Sequence, residues 1–367
     1  MTFNIRSPLS AVKGSSADCG PPAPLVGIAI PAYNAAETLE ETLRSCLAQT
    51  VTDWVAYVTV DGGECGPEQQ IVARLNDPRI RLQWNGRCLG QFENFNRAML
   101  SCYAAGVGWI KLLCADDILH PDALERMLAV GQQGPACGLV YGYYRGIDGT
   151  GRVVTHCDVS HIATRVVPSE EYVLVALPAF NPMGGPSSIM LRASVLDRCG
   201  IFDARLDYLG DADFWFRVVT QFDVGVVGES PILDYRFHEN SVTGRGYNSA
   251  RRFEQPLDIV RNLIARSVPF SRRWFMAQAL LADTAASNLL TAAAFVRRGD
   301  LSVAMTGLWT TLRRLSFWAA PVAPIDFVFR LARLLTGHRP ARNNPYAASE
   351  HKTAEIPRYS STGAGRV

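Results

Sequence analysis

Nine cysteines are scattered through the 367 residues without a single CxxC pair, and several of them (Cys46, Cys102, Cys114) sit inside apolar periodic stretches. That usage argues against a disulfide framework or a zinc ribbon and fits reduced, buried thiols in a cytoplasmic protein. Charge is sparse. Asp, Glu, Lys and Arg make up 19% of the chain against 48% apolar residues, which excludes disorder as its general state. No stretch reaches the roughly 18 uncharged apolar residues of a membrane-spanning helix. Residues 1–24 are rich in Ser, Pro, Ala and Gly, lack the apolar core of a signal peptide, and read as a flexible segment. P-loop signatures and internal repeats are also missing.

The net charge of +2 hides an uneven distribution. Residues 1–250 hold 19 Lys plus Arg against 27 Asp plus Glu, whereas residues 251–339 hold 13 Arg against 5 Asp plus Glu. A basic, Trp-containing segment on an acidic body suggests a separate role for that segment, set against simple solvation of helix faces by the arginines.

From Leu25 onward apolar strands alternate with helical stripes. Strand patterns cover Leu25–Ile30, Val55–Val60, Ile80–Trp84, Trp109–Cys114 and Gly138–Tyr143. Helical patterns fall between them, with Leu39, Leu43 and Leu47 at four-residue spacing in the first and Phe92–Tyr103 in the third. Alternation at this spacing predicts βαβ units and a doubly wound, mainly parallel α/β sheet. Residues 145–186 are Gly- and Pro-punctuated and irregular, apart from a helix signal over Ser169–Leu177. Beyond them the pattern predicts a strand at Ser187–Leu191, a helix at Asp211–Phe222 and closing strands at Val224–Val227 and Ile232–Phe237. The expected organisation is a flexible segment (1–24), a catalytic domain (25–250), a helical C-terminal extension (251–338) and a disordered tail (339–367).

The run Trp109–Cys114 delivers two adjacent carboxylates, Asp116 and Asp117, at its end, with a helix signal following. Ligands of open α/β sheets bind outside the carboxyl ends of the parallel strands. Paired carboxylates there suit a hard divalent cation, which in turn holds a diphosphate. Asp61-Gly62-Gly63 closes the second strand, and Asp211 and Asp213 open a later helix.

These stretches together resemble the family 2 glycosyltransferases, inverting enzymes of the GT-A fold. The resemblance rests on Val26-Gly-Ile-Ala-Ile-Pro-Ala-Tyr-Asn34, Val60-Asp-Gly-Gly63, Leu112-Leu-Cys-Ala-Asp-Asp117 and Gly185-Pro-Ser-Ser188. It continues through Gly200-Ile-Phe-Asp203, Asp211-Ala-Asp-Phe-Trp-Phe-Arg217 and Tyr235-Arg-Phe-His238, all in the family's order. Gly90-Gln-Phe-Glu-Asn94-Phe-Asn96 is similar to the family's helix start beside the nucleotide.

The resemblance implies site residues. Pro31, Tyr33, Asn34, Asp61 and Asp117 would bind the nucleotide diphosphate-sugar, with Asp61 accepting the imide N–H of the base. Asp116 and His238 would hold Mn2+ or Mg2+. Of the acidic pair, Asp211 would be the general base, with Asp213 as a second candidate or an acceptor contact. This chain departs from the pattern where Cys114 replaces the first DxD aspartate, and Gly210 and Val60 replace acidic residues.

The expected activity is sugar transfer from such a donor, uridine-based, to an acceptor hydroxyl on a glycan or lipid-linked chain in surface or extracellular polysaccharide synthesis. No nucleic-acid partner is expected. Two alternatives stand beside it. A sugar-phosphate nucleotidyltransferase would want a Gly-rich, basic loop after the first strand, and Pro31-Ala32-Tyr33-Asn34 offers neither. A non-catalytic nucleotide-sugar-binding protein of the same fold is suggested by Val60, Cys114 and Gly210. In the C-terminal segment Trp309, Leu312, Leu315, Phe317 and Trp318 alternate with Arg313 and Arg314, the composition of a helix lying in a membrane interface or of a packed extension. The expected location is cytoplasmic, with peripheral attachment to the inner face of the membrane.

Overall fold

The structure, a computed structural model, describes residues 23–62, 66–155, 159–173, 183–206, 209–237, 259, 288–293, 295–297 and 299–314. Its strands are β1 (Val26–Ala32), β2 (Trp54–Val60), β3 (Ile80–Trp84), β4 (Trp109–Leu112), β5 (Ile118–Leu119) and β6 (Cys137–Gly142). They continue with β7 (Tyr144–Ile147), β8 (Val153–Thr155), β9 (Arg165–Val167), β10 (Ile189–Arg192), β11 (Asp223–Val227) and β12 (Leu233–Arg236). The helices are α1 (Leu39–Leu47), α2 (Pro67–Leu75), α3 (Gln91–Ala104), α4 (Ala123–Gly131), α5 (Val195–Cys199), α6 (Gly210–Val219) and α7 (Leu301–Arg314).

Eight strands form one sheet in the order β3-β2-β1-β4-β10-β6-β11-β9, and β5-β12-β7-β8 form a second. The pairs β3–β2, β2–β1, β1–β4 and β6–β11 are parallel, while β10 runs antiparallel to both of its neighbours. The chain leaves β1 toward β2 and β3, then returns to place β4 on the other side of β1. The crevice between the carboxyl ends of β1 and β4 is therefore a topological switch point, the position where open α/β sheets bind ligands.

Alternating side chains of the large sheet feed two cores. Ala29, Val55, Ile110 and Leu112 pack with Phe92, Phe95 and Met99 of α3 and Phe214 and Trp215 of α6 on one face. Ile28, Ile30, Ala56 and Val58 pack with Leu39 and Leu43 of α1, Ile71 of α2 and Leu124 and Met127 of α4 on the other. Helices on both faces explain why β1 and β2 read as near-continuous apolar runs. At Gly27 an added Cβ would lie 2.6 Å from the Cys102 Cβ, so α3 presses directly on the backbone of β1.

Several expectations change here. Ile232–Phe237 closes a different sheet from Val224–Val227, because β12 pairs with β5 and β7. The strand near 187–191 begins as a 3-10 turn at Pro186–Ser188 and enters the large sheet against the general direction. Apolar periodicity carries no information on strand direction. The stretch read as irregular supplies β7, β8 and β9, each only three or four residues long. Of the predicted helix near Ser169–Leu177, residues 169–173 are helical and the remainder lies outside the described residues. The same is true of the expected segments 1–22 and 315–367, and of most of 238–287.

Candidate active site

Three strand ends converge at the switch point. The Asp61 N–H donates to Ala32 O at 2.8 Å, which joins the ends of β1 and β2. The Leu113 N–H donates to Ala29 O at 3.1 Å, and Thr38 Oγ1 donates to Ala115 O at 2.9 Å, so the loops after β1 and β4 lie side by side. Pro31 lies within β1, while Tyr33 and Asn34 project beyond it, exposed. Asn34 has φ +50°, an uncommon conformation for a residue other than glycine and one that recurs at functional loops.

Asp61 sits in a nest of donors. Its Oδ1 accepts from Asn85 Nδ2 (3.0 Å) and Leu89 N (2.7 Å), and its Oδ2 from Gly90 N (2.9 Å) and Cys88 Sγ (3.4 Å). Burial raises the carboxyl pKa, but these hydrogen bonds outweigh it and hold the group below the ordinary range. A carboxylate has about four lone-pair sites, and all four are in use. The Cys88 thiol is the longest and weakest of the four donors. Through these contacts Asp61 fastens the loop that leads into α3.

At the end of β4, Cys114 and Asp116 are partly buried and Asp117 is fully buried. Cys114 Sγ and one carboxylate oxygen from each aspartate all lie within 4.8 Å of one another. Asp117 Oδ1 accepts the Arg236 N–H at 2.9 Å, while Asp117 Oδ2 is buried without a hydrogen-bond partner. Burial and the neighbouring Asp116 charge push the Asp117 carboxyl upward, and burial does the same to the Cys114 thiol. An orphaned oxygen beside a second carboxylate and a sulfur is what a bound divalent cation would satisfy, so these residues fit a metal. His238, expected to complete that set, lies outside the described residues.

The residues that fix this loop were not singled out in the sequence. Arg236, itself buried, donates Nε–H to Asp116 O at 2.9 Å and reaches Glu41 Oε2 at 2.5 Å and the carbonyls of Asp148 and Gly149. Ser187 Oγ accepts the Cys114 N–H at 2.9 Å. Lys111 is wholly buried, and its Nζ donates to the carbonyls of Leu112, Ser187 and Ile189. Burial drags that ammonium down to about 7, against the pull of Asp117. A lysine inside an apolar strand was a visible signal, since such a group is almost never fully buried without partners.

Asp211 and Asp213 open α6, and the structure separates them. Asp213 Oδ2 is ion-paired with Arg217 Nε at 2.9 Å, and Arg217 also donates to the carbonyls of Cys199 and Ile201. Asp211 accepts from backbone N–H groups at the helix start, Ala212 N at 2.7 Å among them, and burial pushes its carboxyl up to about 6. A chain of contacts ties this helix to the end of β2. Asn94 Nδ2 donates to Thr59 O at 3.0 Å, and Asn94 Oδ1 accepts from Asn85. Asn96 exchanges two hydrogen bonds with the Phe202 backbone, at 2.9 and 3.0 Å. The Phe202 ring packs on Phe92, Phe214 and Trp215 with centroids 4.9 to 5.5 Å apart. A Cβ at Gly210 would stand 2.7 Å from the Phe92 ring, so an acidic residue there would displace α6.

Residues 27–200 match the model of Glycosyl transferase family 2. Over that segment, just under half of the chain, the sequence is similar to glycosyl transferase family 2. A Rickettsia felis protein described as an uncharacterized glycosyltransferase is 28% identical over 218 residues, covering 59% of this chain and 34% of that protein. A Methanocaldococcus jannaschii protein of the same description is 24% identical over 216 residues, 58% of this chain and 71% of its own length. The chain thus spans about a third of the first curated relatives it matches. Among solved structures, S. aureus TarS 1-349 in complex with UDP-GlcNAc superposes with a TM-score of 0.55 at 15% identity, over 80% of this chain and 93% of that one. The architecture is of the GT-A type, with further helices in the C-terminal region.

The Asp61 nest gives a direct test. Asp61→Asn keeps the side-chain shape but turns an NH2 toward donors, leaving one of Leu89 N or Gly90 N unpaired. We expect a loss of about 2–4 kcal/mol in urea unfolding and faster exchange of the Leu89 and Gly90 amides. An unchanged midpoint contradicts the role assigned to Asp61.

Proposed function

We propose that this chain is a family 2 glycosyltransferase that moves a sugar from a nucleotide diphosphate-sugar, uridine-based, to an acceptor hydroxyl with inversion at the anomeric carbon. The observation that carries the reading is the placement of Asp116 and Asp117 at the carboxyl end of β4, beside the end of β1, where the sheet reverses. Pro31, Tyr33, Asn34 and Asp61 border the same crevice and would hold the nucleotide. Cys114, Asp116, Asp117 and His238 are the residues that would hold a divalent cation, whose chemistry there is to neutralise the charge of the diphosphate. The complex of TarS with UDP-GlcNAc supports the uridine assignment by likeness of fold.

Asp211 takes the proton of the acceptor hydroxyl, whose oxygen bonds to the anomeric carbon as the bond to the diphosphate oxygen breaks. A general base needs a pKa near the working pH and no competing cation. Asp211 meets both conditions, whereas Asp213 is committed to Arg217. Residues 25–250 form the transferring unit in this reading, and residues 251–338 serve attachment. The acceptor is a glycan or a lipid-linked chain of a surface polysaccharide.

The chemical role is tested with a panel of nucleotide-sugars, following release of nucleoside diphosphate with and without acceptor glycans. Asp211→Asn lowers turnover by about 10²–10⁴ with donor affinity unchanged. In the parent protein kcat/KM falls as the pH drops through about 6, because protonation of Asp211 removes the base. If Asp213→Asn suffers the large loss and Asp211→Asn does not, the assignment within the pair is wrong.

Attachment rests on α7, where Leu301, Met305, Leu308 and Trp309 form an exposed apolar stripe at helical spacing. Among the described residues no helix is long and apolar enough to cross a membrane. Such a stripe, followed by an arginine-rich sequence, suits the interface of an anionic bilayer, to which each arginine adds about 1 kcal/mol. Co-sedimentation with anionic vesicles should be strong at low salt, weaken as salt rises, and fall in Met305→Glu/Trp309→Glu. Full-length protein that stays in the supernatant at low salt contradicts the attachment reading.

A further inference from the structure

The cation-holding loop differs from two carboxylates in one chemical respect. Cys114 Sγ stands with the carboxylate oxygens of Asp116 and Asp117, all within 4.8 Å. Around a tetrahedral zinc-like ion, sulfur and oxygen ligands lie about 3.6 Å apart, given bonds near 2.3 and 2.1 Å. Small side-chain rotations therefore close the set on one ion. The second observation is independent of the cysteine. Asp117 Oδ2 is buried on a fully buried side chain, has no hydrogen-bond partner, and belongs to the carboxylate facing this cluster. The backbone on either side is already fixed, by Ser187 Oγ on the Cys114 amide and by Arg236 on Asp116 O and Asp117 Oδ1. The ligand atoms are thus presented by a loop already held in place, in which one buried carboxylate oxygen has no hydrogen-bond partner.

Resting on the transferase reading of this site, we propose that Cys114 is a direct thiolate ligand and that the site takes a borderline-soft divalent cation such as Zn2+, Co2+ or Fe2+ in preference to Mg2+. Hard cations that favour all-oxygen surroundings gain little from sulfur, whereas thiolate raises affinity for the later transition metals. Asp116 and Asp117 supply the oxygen ligands. The same geometry explains how the chain tolerates loss of the first DxD carboxylate: the sulfur replaces an oxygen in the coordination sphere and leaves the fold of the loop alone.

The test uses full-length protein stripped of metal and titrated with Co2+, which reports thiolate ligation through a near-ultraviolet sulfur-to-cobalt charge-transfer band. The parent protein should develop that band with one equivalent of Co2+. Cys114→Ser and Cys114→Ala should lose it while keeping the parent circular dichroism and melting temperature, and Asp116→Asn should weaken Co2+ binding with the band retained at saturation. Competition titrations should show the ratio of Zn2+ to Mn2+ affinity falling about tenfold or more in Cys114→Asp. A band that persists in Cys114→Ser, or no band in the parent protein at saturating Co2+, overturns the proposal, as does an unchanged affinity ratio. Sugar transfer without the band removes this inference alone. The band without sugar transfer from any donor removes the transferase reading and leaves the thiolate ligand standing.

Discussion

Negative charge gathered in a buried position at the end of β4 is the constraint around which the rest of the site is built. Asp117 is withdrawn from water and stands next to Asp116, and burial and that neighbouring charge both oppose its ionisation. An isolated carboxylate in such a place costs several kcal/mol unless it is paired or coordinates a metal. The chain answers with two cationic residues drawn from different strands. Arg236 on β12 donates its guanidinium to the Asp116 carbonyl and its backbone N–H to the Asp117 carboxylate, and Lys111 on β4 donates to the carbonyls of Ser187 and Ile189 while its charge favours the ionised Asp117. The second sheet is thereby explained. β12 pairs with β5, which leads directly out of Asp117, and so brings Arg236 to the loop.

That sheet has its own anchor. Asp234, two residues before Arg236, accepts from both Nε and an Nη of Arg145 and lies 3.0 Å from His120 Nε2. Burial opposes its ionisation, but these partners hold the carboxyl down at about 2. The end of β2 and the start of α6 are linked by a second path, through α3. Asn94 reads the end of β2, Asn96 reads the loop before α6, and the aromatic cluster around Phe202 fills the space between them. Placement of Asp211 thus follows from two asparagines two residues apart, facing opposite sides of one helix.

Much of the architecture was legible in the sequence because periodicity reports burial on two-sided strands and one-sided helices. The strands from Leu25 to Tyr143, and the helix beginning near Asp211, are of this kind. What was not legible depended on pairing. The direction of β10, the membership of β12 in a separate sheet and the short strands of residues 144–167 are decided by tertiary partners that leave no period. In the site, residue type and position at strand ends pointed to Asp61, Asp116 and Asp211, but their states came only from neighbours. Nothing in Asp61-Gly62-Gly63 announces four donors from residues 85–90. Nothing in Asp211-Ala212-Asp213 announces that Arg217 claims the second carboxylate and leaves the first one bare. Gly210, which reads as a loss from the family pattern, acquires a physical reason in the Phe92 ring, and Cys114 stands with the carboxylates of Asp116 and Asp117.

The central claim is that a nucleotide diphosphate-sugar binds where the sheet reverses between β1 and β4. Hydrogen–deuterium exchange on the full chain, with and without a panel of nucleotide diphosphate-sugars in the presence of divalent cation, examines that claim at the level of the backbone. The account predicts that a binding donor slows exchange at residues 30–34, 60–62, 85–90 and 113–117, with the far ends of the same strands unchanged. It also predicts that Asp116→Ala abolishes the protection. Protection confined to other surfaces, or none at saturating donor and cation, contradicts it.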